Sequence, residues 1–107
     1  MIKIDDFRKV EVKIGKILEV KDHPNADKLY VVTVDLGDAQ KQLVAGIKNS
    51  YTDKEALIGK QVVVVTNLEP ATLRGVESQG MILAASDESG ISVITTDKPV
   101  KIGSIVK

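Results

Sequence analysis

The chain has no cysteine, and that one absence removes disulfide frameworks, thiolate nucleophiles and cysteine-ligated zinc together. It also fits a reducing compartment. Tryptophan is missing too, and Phe7, Tyr30 and Tyr51 are the whole aromatic complement. A core must then be built from Val, Ile and Leu, and the row of stacking platforms used by many single-strand binders has few residues to draw on. Excess charge of one sign is likewise absent: 15 Lys and Arg stand against 15 Asp and Glu. A surface that grips a polyanion would have to do so by segregating charge. No apolar run approaches the roughly 20 residues needed to cross a bilayer, and Met1 to Asp6 holds no apolar signal core. The expectation is a cytoplasmic protein with no membrane contact.

What is present describes one folded domain, residues 1–107. That length supports a single core but not two, and 43% hydrophobic with 28% charged residues is ordinary globular composition. From Val10 to Val20, Val10, Val12, Ile14, Leu18 and Val20 share one parity while Glu11, Lys13, Glu19 and Lys21 share the other, the pattern of a half-buried strand. Gly15 and Ile17 interrupt it and predict a bulge or bend that curls the sheet. Asp22 to Lys28 is a loop dense in turn formers. Leu29 to Leu36 reads as a second strand, apolar on both faces. Gly37-Asp38 is a turn, and Gln40 to Ala45 returns as the third strand of a hairpin. Thr52 to Gly59 has the form of a short helix, with Thr52 as N-cap, Glu55 three residues on and Gly59 at its end. Gln61 to Asn67, with four consecutive valines, is a buried fourth strand. A polar loop then carries Pro70, Arg74, Gly75, Glu77, Ser78 and Gln79 into an apolar fifth strand, Gly80 to Ser86. Ile91 to Thr95 and Lys101 to Val106 are two further strand-like pieces.

Five strands with one short helix between the third and fourth is the order of the five-stranded Greek-key barrel called the OB fold. A short sandwich or an SH3-like barrel satisfies the same alternation. The fold expected is therefore all-β, a five-stranded OB-fold Greek-key barrel over about residues 8–86, followed by a C-terminal β extension over about 87–107.

A catalytic inventory is hard to assemble. His23 is the only histidine; with Asp22 and Asp27 it could offer a metal three ligands, but no second His or Cys completes a tetrahedral site. The plainer reading makes His23 an exposed loop side chain between turn residues. Ser78 half resembles a nucleophile elbow, yet Val76 stands where the motif wants Gly. No glycine-rich loop is followed by Lys-Ser or Lys-Thr. No catalytic residue, metal site or cofactor is assigned. Binding is the better class: Lys28, Lys48 and Arg74 lie at loop-to-strand junctions, accompanied by Asn25, Asn49, Ser78 and Gln79, which can donate to phosphate and sugar oxygens or read exposed base edges. Met81 opens an apolar strand and suits core or contact equally. The residues by themselves reach a barrel that binds RNA or a partner on its rim.

Three ordered stretches narrow this: His23-Pro24-Asn25-Ala26-Asp27-Lys28-Leu29, Ala45-Gly46-Ile47-Lys48-Asn49 and Leu73-Arg74-Gly75-Val76-Glu77-Ser78-Gln79-Gly80-Met81. Together they resemble the tRNA-binding domain family over nearly the whole chain, from Asp6-Phe7 to about Lys107. That family includes the C-terminal domain of bacterial methionyl-tRNA synthetases, free-standing dimeric tRNA-binding proteins and the cytokine-precursor domain of eukaryotic synthetase complexes. The resemblance implies an OB fold and a non-catalytic grip on tRNA by shape and backbone, largely without reading an anticodon. It implies tRNA contacts at Asn25, Lys28, Lys48, Arg74, Ser78, Gln79 and Met81. It also implies a homodimer whose interface uses Ile91, Val93, Ile94, Ile102, Ile105 and Val106 of the C-terminal segment, and a methionyl-tRNA synthetase as enzyme or partner. Ala45 stands where family members often have Ser, which takes one hydroxyl from the rim. A second reading is a dimeric peptide-binding chaperone of the secretion-chaperone branch of the same fold; that branch lacks the Asn-Ala-Asp-Lys-Leu loop intact here at Asn25 to Leu29.

Overall fold

A computed structural model describes all residues from Met1 to Lys107. After a single helical turn, α1 (Ile4–Phe7), the chain enters β1 (Val12–Asp22), the strand around which the sheet is ordered. β2 (Tyr30–Asp35) and β3 (Gln40–Ala45) follow as a hairpin, then a one-turn 3-10 helix (Lys54–Ala56) and β4 (Gln61–Val65). Next come three short strands, β5 (Ala71–Leu73), β6 (Val76–Ser78) and β7 (Met81–Ile82), and a second hairpin of β8 (Ala84–Asp87) and β9 (Gly90–Val93). The main sheet is antiparallel in the order β3-β2-β1-β4-β7. Its outer strand β3 is met by β6, which nearly closes the sheet into the five-stranded barrel expected.

β1 serves two partners. Val12 to Lys16 pair with β4, and Lys16 to Asp22 pair with β2. The bulge falls between Ile17 and Glu19, just beyond Gly15. It shifts the alternation: Ile17 and Val20, three residues apart, both enter the barrel core while Leu18 points out at 37% exposure, so the run expected to share one buried face is divided. β2 is buried only on alternate residues, with Tyr30, Val32 and Val34 inside; it has one apolar face rather than two. The four valines of β4 are all buried because two clusters need them. Val62 and Val64 enter the barrel with Ile17, Tyr30, Val32, Leu43 and Leu57, while Val63 and Val65 pack with Val12 and Ile14 on the outer side.

The C-terminal segment covers that outer side. Gly103 N–H and Val106 N–H donate to the Ile14 and Val12 carbonyls, and Ile14 N–H donates to the Ser104 carbonyl. Lys101 to Val106 is not a regular strand; it makes one bridge, Lys13 to Ile105. Two of the three aromatics tie the β8–β9 hairpin to the barrel. The Tyr30 hydroxyl donates to the Tyr51 carbonyl at 2.6 Å, and the Tyr51 hydroxyl accepts the Val93 N–H at 2.9 Å.

Three further elements differ from the sequence reading. The helix expected over Thr52 to Gly59 is one 3-10 turn, capped by Asp53, whose carboxylate accepts the Glu55 N–H, and not by Thr52. The polar loop before Gly80 is the β5–β6 hairpin. The fifth strand is broken at Leu83 and largely exposed: only Met81 and Ile82 pair with β4, and Ala84 to Asp87 turn away to pair with β9.

Candidate nucleic-acid interface

Two loops 49 residues apart in sequence meet at one end of the barrel. The first, residues 23–29, leaves β1 and is closed by the His23 N–H donating to the Leu29 carbonyl. The second is the tip of the β5–β6 hairpin, where Leu73 and Val76 pair across the two-residue turn Arg74-Gly75. Both turn residues have positive φ, 54° and 90°, the backbone of the hairpin turns that match strand twist. Glycine adopts that region freely, whereas Arg74, the only non-glycine residue there, does so at a cost in backbone strain. It is held by reciprocal bonds with Asn25: the Asn25 side-chain amide donates to the Arg74 carbonyl at 3.3 Å, and the Arg74 guanidinium donates to the Asn25 carbonyl at 3.2 Å.

Arg74 and Lys28 are exposed and neither has a carboxylate within ion-pair distance. Lys48 is half-buried. Its ammonium group lies 3.1 Å from Asp22 Oδ1 and 6.0 Å from the centre of the Tyr30 ring. The same carboxylate takes Lys54 on its other oxygen at 2.9 Å. Hydrogen bonds from Lys54 and then Lys48 hold the Asp22 carboxyl below its ordinary value, and the bond to Asp22 raises Lys54. One anion thus serves two cations. The sequence reading passes over Lys54, which it places inside a helix.

Ser78 and Gln79 close the barrel. The Ser78 hydroxyl, in a residue only 6% exposed, accepts the Val44 N–H at 2.9 Å and donates its one proton to the Gly80 carbonyl. The Gln79 side-chain oxygen accepts the Gln42 N–H, and the Gln79 N–H donates to the Gln42 carbonyl. These groups satisfy the edge of β3 where a strand ladder would otherwise run. Gln42 also donates from its side chain to the Glu77 carbonyl. Met81, 46% exposed, joins Val44, Ala45, Ile47, Ile82 and Leu83 in an apolar groove beside this closure.

His23 is not the exposed loop residue expected. It is 5% exposed, with its ring between the Asn25 N–H and the Leu73 carbonyl. A run of polar turn formers gives no local sign that a hairpin far along the chain will cover it. No group of three or more His, Cys, Asp or Glu gathers to hold a metal, and no helix is long and apolar enough to cross a membrane.

Of the C-terminal apolar residues, Ile94, Ile105 and Val106 are exposed at 41%, 58% and 38%, Ile91 and Ile102 are half-buried, and Val93 lies inside the core. Ile105 and Val106 border a groove with Ile4, Phe7 and Val10.

The model of the "Putative tRNA binding domain" family matches residues 12–105. A methionine-tRNA ligase of Pyrococcus abyssi is 57% identical over 106 residues, which is 99% of this chain and 14% of that enzyme. The chain thus spans about one seventh of the length of the curated relatives it matches. Among solved structures, a methionyl-tRNA synthetase related protein from Pyrococcus horikoshii superposes with a TM-score of 0.90 at 32% identity, over 100% of this chain and 98% of that one. The CsaA chaperone protein from Picrophilus torridus does so with a TM-score of 0.90 at 28% identity, over 100% of both.

Proposed function

Since the chain belongs to the tRNA-binding domain family, we propose that it is a non-catalytic module that grips folded tRNA through its phosphate backbone and shape. It works in the cytoplasm beside a methionyl-tRNA synthetase, as part of that enzyme or as a free-standing relative. The observation that carries this reading is the joined edge of the 23–29 loop and the β5–β6 turn. There Arg74, cross-bonded to Asn25, and Lys28 present two exposed cations with no carboxylate within ion-pair distance. Lys48 adds a third cation, shared with Asp22, and Met81 an apolar contact at the groove. Ser78 and Gln79 act by holding the closure from which these groups project. Segregated charge of this kind serves a chain of zero net charge.

The test is fluorescence anisotropy with bulk tRNA across a salt series, beside an unstructured RNA and a duplex of equal charge. Binding that prefers folded tRNA and weakens steeply with salt is expected. Lys28→Ala and Arg74→Ala should each lower affinity and reduce the salt slope by about one contact while leaving thermal stability in place. Parental affinity in both variants would remove the site assignment.

The exposed Ile105 and Val106, which border a groove with Ile4, Phe7 and Val10, support a homodimer, as does the exposure of Ile94. Left bare, such a patch is a liability for a monomer. Ile105→Asp should yield a folded monomer in sedimentation experiments. A second reading, a peptide-binding dimer, has the apolar groove of Val44, Ile47, Met81 and Ile82 in its favour, together with the likeness to the CsaA chaperone protein. Preference for unfolded polypeptide over tRNA would promote it.

A further inference from the structure

The chain's single histidine sits where β1 gives way to the 23–29 loop, and its ring reaches both elements of the proposed RNA edge. Asn25 N–H donates to Nδ1 at 2.9 Å, inside the loop, and Nε2 lies 2.8 Å from the Leu73 carbonyl, the last residue before the Arg74-Gly75 turn. A donor facing Nδ1 and an acceptor facing Nε2 are both satisfied by one form of the imidazole: neutral, with the proton on Nε2. The ring's bond to the Leu73 carbonyl then forms the inner part of a three-bond splice between the two elements, whose outer part is the Asn25–Arg74 pair. The outer pair is exposed and open to competition from water, while His23 is buried. A buried bond is the one able to keep a turn registered when its exposed partners open. Arg74 needs such a fixture because its φ of 54° is one a non-glycine residue leaves readily.

We propose that His23 is a positioning residue for RNA binding: as the neutral Nε2–H tautomer it fastens the Asn25 loop to the β5–β6 turn and so aims the Arg74 guanidinium. The inference rests on the reading of that edge as the RNA contact. His23 touches no ligand itself; it acts through Asn25 and Arg74.

Amide side chains can dissect it. Gln can return the donor to the Leu73 carbonyl and Asn the acceptor to the Asn25 N–H, while Ala returns neither. In the full chain, His23→Ala should lose about tenfold in tRNA affinity, the scale of one well-placed hydrogen bond. His23→Gln should recover part of that loss. The loss should vanish when Arg74 is already Ala, because there is then no guanidinium to aim. A role confined to general stability would instead lower the thermal midpoint and multiply with the Arg74→Ala loss. Long-range proton-nitrogen spectra of the unmodified protein should show the imidazole as the Nε2–H tautomer, a readout independent of how any variant folds.

Independent, multiplying losses, parental affinity in both His23→Ala and His23→Gln, or an Nδ1–H tautomer would each overturn the proposal. If Arg74→Ala itself binds tRNA like the parent, the RNA reading falls first and takes this inference with it. If Arg74→Ala weakens binding and the His23 variants do not, the inference falls alone.

Discussion

Removing the Asp22 carboxylate should strengthen RNA binding. Asp22 ends β1 with one oxygen 3.1 Å from Lys48 and the other 2.9 Å from Lys54, and the two lysine side chains remain 33% and 38% exposed. Asn has the same shape and keeps one acceptor but carries no charge. In Asp22→Asn both ammonium groups lose their counter-ion and become free to pair with phosphate. Each phosphate pairing adds about 0.7 to 0.9 to the slope of log affinity against log salt. One additional pairing therefore means about sixfold tighter binding, relative to the parent, for each tenfold dilution of salt, and two additional pairings mean about fortyfold. The assay is tRNA anisotropy from high to low salt, parent and variant side by side. The curves should converge at high salt and fan apart below it. Exposed ion pairs add little to folding, so the thermal midpoint should stay close to the parent's. A folded Asp22→Asn protein with an unchanged or shallower slope would refute the reasoning: Lys48 and Lys54 would then either lie away from the RNA or need Asp22 to place them.

Three other outcomes are expected. Arg74→Asn should separate function from stability: Asn accepts positive φ more readily than Arg, so the melting temperature should hold or rise while tRNA affinity and salt slope fall. Gly80→Ala should destabilise by about 1–3 kcal/mol in urea unfolding, since a Cβ there would sit 2.9 Å from the Val65 carbonyl oxygen and 3.0 Å from Leu43. Acid titration should show the depressed carboxyls of Asp22, held by Lys54 and Lys48, and Asp87, held by the Ser89 hydroxyl and N–H. A lowered folded value stabilises above the ordinary 3.8 and is lost as pH falls through the folded value. The stability difference between parent and Asp22→Asn, small for so exposed a group, should therefore be confined to pH above the folded value and close as pH falls through it, as followed by circular dichroism.

The strands that build the inner barrel are legible because alternation and β-branched runs end at clear punctuation. Gln40 to Ala45 is placed to the residue, and β2 and β4 within one or two residues. The region from Asn67 to Ser86 is not legible, and the reasons are physical. β5 and β6 are three residues each and add one side chain, Ser78, to the buried set, so they leave no periodic trace. Their turn begins with Arg, which no turn preference favours, because its strain is met by Asn25 from another loop. The apolar run Met81 to Ala85 suggests a buried strand, yet all of it is half-buried or exposed. Of the site, the motifs mark Asn25, Lys28, Lys48 and Arg74 as neighbours in function; the contact between Asn25 and Arg74, and the buried ring beneath it, exist only once the chain is folded.

Zero net charge and a polyanion partner are compatible where several cations gather with few carboxylates in ion-pair reach. Lys13 is half-buried and bracketed by Glu11 and Asp38 at 3.8 and 3.6 Å, and Arg8 and Lys9 each face an aspartate one turn back, in α1. Those cations are matched where they stand. At the joined loop edge Lys28 and Arg74 have no carboxylate within ion-pair distance, and Lys48 and Lys54 divide one between them. A field of that form reaches about one Debye length, ~10 Å at 0.1 M salt, which is enough to orient a phosphate backbone but not to hold it for long. Two such edges on a dimer, or one edge beside a catalytic domain, would raise effective concentration while each edge keeps the same set of contacts. On the proposed homodimer, Ile105→Asp should therefore lower apparent tRNA affinity while leaving the salt slope per site as it was.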